Sequence, residues 1–310
     1  MVPVKEHRMP TTRTVAALAI IAGTGLGRTA ITAVGSTADI TCIELRRAGA
    51  GLVVVPVQVV SESGRRATHP FLLDTGSEAT FVDEELARAL GLAATSRTTV
   101  DTPGGPAPAL ASRVSLNYGG VRVDDLEVVH DALRSIRAIA PDVRGVLGQD
   151  VLRRTNWLLD YRDGVVLQDP HGVIGERVRG ERLTVDWIGD LPTVGASFGR
   201  TTPVRLVLDS AATGLVLFRL PIGAATGESA RLQTLAGNMD APILSADALH
   251  LGSLRVPHPR AAVVVHGADG NDAGGLLPTS LFETLYFDQK GNTVIVSPTK
   301  VQSVKCKVEK

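Results

Sequence analysis

What most constrains this chain of 310 residues is an internal repeat. A strand-length apolar run, Leu52-Val-Val-Val-Pro-Val-Gln-Val-Val, leads through a turn to Phe71-Leu-Leu-Asp74-Thr-Gly-Ser77. Val204-Arg-Leu-Val-Leu-Asp209-Ser-Ala-Ala212 has the same form, an apolar strand running into Asp, a hydroxyl residue and small residues. The two aspartates are 135 positions apart, 74 to 209. Four more landmarks follow in the same order. Ala107-Pro108 matches Ala241-Pro242 at an offset of 134, and Gly119–Val123 matches Gly252–Val256 at 133. Gly145–Gly148 matches Gly275–Pro278 at 130, and Asp160–Gly164 matches Asp288–Gly291 near 128. One such match is noise. Five in order, with a slowly drifting offset, imply a duplicated domain.

Each unit consists of short apolar segments of strand length, with 32 Gly and 17 Pro to supply turns. Aromatic residues are only 4%, so the core must be built from Val, Leu, Ile and Ala. The clearest helix runs from Asp83 to Leu90. Asp83 is a good N-cap, Glu84 and Glu85 suit the positive helix start, and Gly91 suits the stop. Between the units, Asp169–Gly172 and Arg177–Arg182 are polar and turn-rich, and read as a linker. Lys plus Arg equals Asp plus Glu at 32 each. That balance speaks against a nucleic-acid binder, which needs a basic surface to neutralise phosphates.

Residues 1–38 read as a secretory signal. Lys5, His7, Arg8 and Arg13 form a positive start, Val15–Gly27 is apolar, and Ser36-Thr37-Ala38 offers small residues for cleavage. An uncleaved anchor or a buried strand is the plainer alternative. The apolar run is short for a membrane span, and no other segment is long and apolar enough. The expected location is therefore periplasmic or extracellular, with no transmembrane span in the mature chain. The two cysteines, Cys42 and Cys306, lie at the ends of that mature chain. In an oxidising compartment they can pair, or they remain two free thiols. No Cys/His cluster suggests a metal, and no cofactor is expected.

Strands that each end in Asp have a chemical use. Hydrolysing a peptide bond with water needs a base for the water proton and an acid for the amide. Two carboxylates sharing one proton supply both. Held close, they cannot both ionise easily, so their titrations split. Gly76 lets the backbone pass tightly and offer its N–H to the carboxylate. Thr75 can hydrogen-bond across to the opposite loop and lock the pair.

Residues 71–82 resemble the active-site signature of aspartic proteases. Asp83–Leu92 resembles the short helix of bacterial retropepsin-like domains, and Gly145-Val-Leu-Gly148-Gln-Asp-Val-Leu152 resembles the apolar-apolar-Gly element that supports the catalytic loop. The resemblance covers residues 50 to 170 well and 200 to 297 more weakly. It implies an all-β fold of two retropepsin-like closed β-barrel lobes, related by pseudo-two-fold duplication, with few short helices. The expected division is a signal over 1–38, a first lobe over 39–170, a linker and start of the second lobe over 171–199, a second, degenerate lobe over 200–300, and a tail over 301–310. Asp74 and Asp209 are the implied catalytic pair. Thr75, Gly76, Ser77, Ser210, Ala211 and Gly148 are the implied supports of the catalytic loops. Gly104 and Gly105, with Gly237 in the second unit, fall where the family has its substrate-covering flap. Family members with two lobes gather their terminal strands in a shared sheet beneath the cleft, which implies a Cys42–Cys306 pairing there.

The second unit departs from the pattern. Ala211 stands where Gly is expected, in a loop where a Cβ is crowded and φ > 0 is costly, and Pro278 stands where Gly148 should recur. Three functions stay open. The first is a monomeric endopeptidase using both lobes on a peptide or protein substrate. The second is a protease active only as a homodimer of first lobes. The third is a non-catalytic protein holding an extended peptide by strand addition. Within the pair, the expectation is that the Ser77 hydroxyl donates to the outer oxygen of Asp74 and favours its charge. Asp209, beside Ala211 and Ala212, would then keep the shared proton.

Overall fold

The computed structural model describes residues 12–14, 20–21, 35–37, 40–48, 51–102, 105–199, 203–218, 224–234, 237–264 and 273–297. Three short strands come first: β1 (Thr12–Thr14), β2 (Ile20–Ile21) and β3 (Gly35–Thr37). The first unit contains β4 (Ile40–Glu44), β5 (Arg46–Ala48), β6 (Leu52–Ser61), β7 (Arg66–Leu73), β8 (Phe81–Asp83) and α1 (Glu84–Leu90). It continues with β9 (Ser96–Thr102), β10 (Gly105–Tyr118), β11 (Val121–Asp131) and α2 (Arg134–Ile139). Then come β12 (Gly145–Leu147), α3 (Gln149–Leu152), β13 (Trp157–Asp160) and β14 (Val165–Gln168). The second unit has β15 (Glu181–Thr184), β16 (Asp186–Ile188), β17 (Leu191–Phe198), β18 (Val204–Asp209) and β19 (Leu215–Leu217). It ends with β20 (Ala224–Thr234), β21 (Gly237–Ser245), β22 (Ala248–Leu251), β23 (Leu254–Pro257), β24 (Arg260–Val263), β25 (Gly275–Pro278), β26 (Thr284–Asp288) and β27 (Thr293–Ser297). The fold is mainly β with few short helices. The predicted helix is present. The Asp83 side chain accepts from the N–H groups of Glu85 and Leu86, and Gly91 closes the helix at φ 66°. Among the described residues no helix is long and apolar enough to cross a membrane.

Strands β6, β7, β12, β8, β11 and β10 form a closed barrel, because β10 pairs with β11 along one part and with β6 along another. The second unit repeats this order: β17, β18, β25, β19, β24, β21. Here each long strand is broken in two. β21 and β22 take the place of β10, β24 and β23 that of β11, and β22 pairs with β17 as the far part of β10 pairs with β6. The break has a backbone cause. His258 sits at φ 46° and is followed by Pro259, which has no N–H for a ladder. Asp125, at φ 54°, is the matching residue of the first unit at the repeat offset of 133, and β10 carries an irregularity opposite it. The duplication thus extends to a left-handed backbone position that no motif displays.

A third sheet joins the units, in the order β15-β27-β26-β13-β14-β4-β3. The junction is β13 against β26, where Trp157 stacks on Phe287 with ring centroids 4.4 Å apart. One buried apolar cluster runs through both units, including Phe71, Leu73 and Leu147 of the first and Leu206, Leu208 and Leu277 of the second. Glu181 and Arg182, read as linker, belong to β15 instead, since their backbone pairs with Val296 and Ile295. Of the segment read as a signal, only β1, β2 and β3 are described. Cys42 is buried on β4 and disulfide-bonded, while Cys306 lies outside the described residues.

Candidate active site

Asp74 follows β7, whose last residues Phe71, Leu72 and Leu73 are completely buried. β12 runs parallel to β7 and antiparallel to β8, and the Asp74 N–H donates to the Leu147 carbonyl at 3.1 Å. In the second unit β25 lies parallel to β18 and antiparallel to β19, with Asp209 opposite Pro278. Both aspartates therefore leave the end of a central, rigid strand. Gly148 must be glycine, because a Cβ there would come within 2.3 Å of the Ala79 carbonyl oxygen. Pro278, its counterpart, has φ −65°, a value proline favours.

The two loops are tied by reciprocal hydrogen bonds. Thr75 Oγ1 donates to the Leu208 carbonyl at 2.7 Å and accepts from the Ser210 N–H at 2.9 Å. Ser210 Oγ donates to the Leu73 carbonyl at 2.7 Å and accepts from the Thr75 N–H at 3.0 Å. Each hydroxyl thus spans from its own loop to the strand end of the other unit. All four bonds are buried, where leaving any partner unmade is costly.

The lock sets the two carboxyl groups side by side. A Cβ on Gly76 would lie 2.7 Å from Cγ of Asp209, so only glycine fits in front of that carboxyl. Asp74 Oδ1 accepts one N–H, from Gly76 at 2.8 Å. Asp209 Oδ1 accepts two, from Ala211 at 2.7 Å and Ala212 at 2.8 Å. Its Oδ2 is buried and has no hydrogen-bond partner among the described residues. Burial, and then repulsion from Asp209, push Asp74 well above the usual carboxylate range, against the single N–H of Gly76. Burial also raises Asp209, but the N–H groups of Ala212 and Ala211 oppose it, and it comes to about 6.

The expected donation from Ser77 to Asp74 is not made. Ser77 Oγ donates to the Ala79 carbonyl at 2.8 Å and makes no bond to Asp74. Its N–H goes to the Asp74 carbonyl at 3.3 Å, so Ser77 braces the loop backbone. Asp209 accepts two backbone N–H groups where Asp74 accepts one, an arrangement that favours negative charge on Asp209. The concern over Ala211 also dissolves. It is absent from the positive-φ residues, and its side chain is buried in an apolar cluster with Leu72, Ala79 and Phe81 of the first unit.

Several supporting residues carry no role in the sequence reading. Gln149 Nε2 donates to the Thr75 carbonyl at 2.8 Å. Asp150 accepts from both the N–H and the hydroxyl of Thr80, at 2.9 and 2.6 Å, and Thr80 Oγ1 accepts from the Gly148 N–H. Between the units, Tyr161 Oη of the first and Thr279 Oγ1 of the second, next to Pro278, lie 2.5 Å apart. The only signal for the first two was their place directly after Gly148.

Of the flap glycines, Gly104 lies outside the described residues. Gly105 opens β10 opposite Thr102, and Gly237 opens β21 opposite Thr234. The two units therefore carry equivalent hairpins, β9–β10 and β20–β21. Among the described residues no three His, Cys, Asp or Glu side chains gather to hold a metal ion.

Residues 55–151 match the family model described as aspartyl protease. The match runs from within β6 into α3 and includes Asp74, Gly76 and Gly148. No curated protein matches the chain in sequence.

Proposed function

We propose, with support from the match of residues 55–151 to the aspartyl protease family model, that Asp74 and Asp209 together hydrolyse peptide bonds within one polypeptide. The observation that carries this reading is the reciprocal Thr75–Ser210 lock. It holds two buried carboxyl groups together and gives them unequal numbers of N–H donors. The ionised Asp209 takes a proton from water as the water oxygen attacks the carbonyl carbon. Asp74, which holds the shared proton, gives it to the carbonyl oxygen. The tetrahedral adduct then collapses, the nitrogen takes a proton from the pair, and the C–N bond breaks. This needs a singly protonated pair, which exists above about pH 6, where Asp209 ionises, and below the titration of Asp74.

The one-chain reading has Asp209 as the partner of Asp74, so no second copy is needed. Export through the N-terminal segment and a monomeric state belong to the same proposal. The test is peptide cleavage, with and without pepstatin, by the parent, Asp74→Asn and Asp209→Asn. Both variants should be inactive, because an amide neither takes the water proton nor shares one. Most of the parent rate in Asp209→Asn would sink the one-chain pair in favour of a homodimer of first units. No cleavage by the parent would favour a peptide-binding protein.

A further inference from the structure

The duplication offers an internal comparison, because a feature that only one unit carries is not required by the shared fold. On the first unit a hollow of about 520 Å³ opens between α1 and the hairpin β9–β10. That volume falls in the range of small-ligand pockets, about 300–1,000 Å³. Pro108 and Leu110 of the hairpin, with Leu92 just after α1, give it an apolar wall. Leu110 is 46% exposed, more than any other large apolar side chain among the described residues. A lone exposed leucine needs no explanation, but one set beside Pro108 and Leu92 in a concave surface is the apolar lining of a ligand site.

Arg88 of α1 and Arg97 of β9 also line the hollow. Both are exposed, and among the described residues neither guanidinium makes an ion pair or a hydrogen bond. Glu85, whose charge reaches Arg88, is bound to Arg137 instead. Glu84 is the one acid in the lining. His130 lines it as well. Burial holds the imidazole below its ordinary value against the opposing charge of Glu84, so near neutral pH it is uncharged. Its Nε2 is buried, with no hydrogen-bond partner among the described residues. Two guanidiniums against one carboxylate leave a single positive charge, which suits one monovalent anion, and the planar guanidinium fork matches a carboxylate.

The second unit carries none of Arg97, Leu110 and His130 at the matching positions. Counted from the facing pairs Thr102–Gly105 and Thr234–Gly237, Arg97 and Leu110 correspond to Ser229 and Pro242. Those two line a hollow whose acids, Glu228 and Asp240, are paired with Arg260 and Arg231. His130 lies opposite Val82 as Val263 lies opposite Leu217, and Val82 and Leu217 pair with the matching glycines Gly145 and Gly275. An imidazole thus stands where the second unit has a buried valine. We propose that the hollow of the first unit binds a small carboxylate with an apolar body, the charge met by Arg88 and Arg97 and the body laid on Leu92, Pro108 and Leu110. The site goes beyond the protease reading and does not rest on it. By strand alternation Arg97 and Leu110 take the hairpin face opposite to Val100, which packs in the buried cluster with Ala211 of the catalytic loop.

Isothermal titration calorimetry on the full chain near neutral pH tests this, with octanoate as the probe. The parent should show one saturable site. Octan-1-ol, which has the same body and no charge, should bind about tenfold more weakly or worse. Arg88→Gln combined with Arg97→Gln, and separately Leu110→Gln, should each weaken octanoate by about tenfold or more. All three positions are exposed, so these variants should melt with the parent. Asp240→Asn, in the hollow of the second unit, should leave the affinity unchanged. Amide NMR shifts on adding octanoate should gather at residues 84–92, 97, 108–110 and 130. No saturation by about 10 mM octanoate, equal affinity for octan-1-ol, or the parent's affinity in either variant overturns the proposal. So do shifts that gather at residues 74–77 and 209–212 instead, which would make octanoate a ligand of the paired aspartates. Peptide cleavage enters none of these measurements, so the protease reading stands or falls on its own test.

Discussion

Replacing Asp209 by Asn isolates what burying the pair does to the fold. Asn keeps the shape, and its Oδ1 can still accept the N–H groups of Ala211 and Ala212, but it carries no charge. Burial raises Asp209 from the ordinary 3.8 to about 6. That is roughly a hundred-fold, or about 3 kcal/mol at about 1.4 kcal/mol per factor of ten. The sign follows from which state holds the proton more tightly. Here it is the folded state, so stability is greatest below the unfolded value of 3.8 and falls as pH rises through about 6. Above that the full cost is present. The Asn variant avoids it. It should match the parent near pH 4 and exceed it by about 3 kcal/mol near pH 8. At about 2–4 °C per kcal/mol for a chain of this size, melting should rise by roughly 6–12 °C at the higher pH. Differential scanning calorimetry at the two pH values reads both quantities. A gain near pH 8 no larger than that near pH 4 would refute the claim that burial weakens this acid. The same variant should cleave nothing, the usual opposition between stability and function.

Three further outcomes are expected. Thr75→Val leaves the Ser210 N–H and the Leu208 carbonyl without their partner, at about 1–3 kcal/mol each. Urea unfolding should show its loss and that of Ser210→Ala to be less than additive in the double variant, and strict additivity would contradict a shared lock. Ser77→Ala should cost about 1 kcal/mol of stability through the lost bond to Ala79, yet leave the acid limb of the pH–rate profile, near pH 6, where it is. A limb that moves would return Ser77 to the carboxylate. For the ends of the chain, non-reducing peptide mapping should find Cys42 linked to Cys306, and two alkylated thiols in exported protein would end that proposal.

Much of this protein was legible along the chain because its signals are local or repeat. The Asp83 cap and the Gly91 stop act within one helical turn. The duplicated units announce themselves by ordered landmarks, and an apolar strand ending in Asp-Thr-Gly-Ser states both a support and a chemistry. The Thr75 hydroxyl bonds to the opposite loop as expected. What the residue string could not decide was where individual donors point. Ser77 reads as a neighbour for the Asp74 carboxylate, yet a carbonyl two residues on takes its hydroxyl. Ala212 reads as a lost hydroxyl and Ala211 as an added methyl, yet their backbone N–H groups converge on one oxygen of Asp209. Side-chain identity is written in the sequence, but backbone N–H groups are the same at every non-proline position. Only the path of the folded loop aims them, and at this site it brings two to Asp209 and one to Asp74.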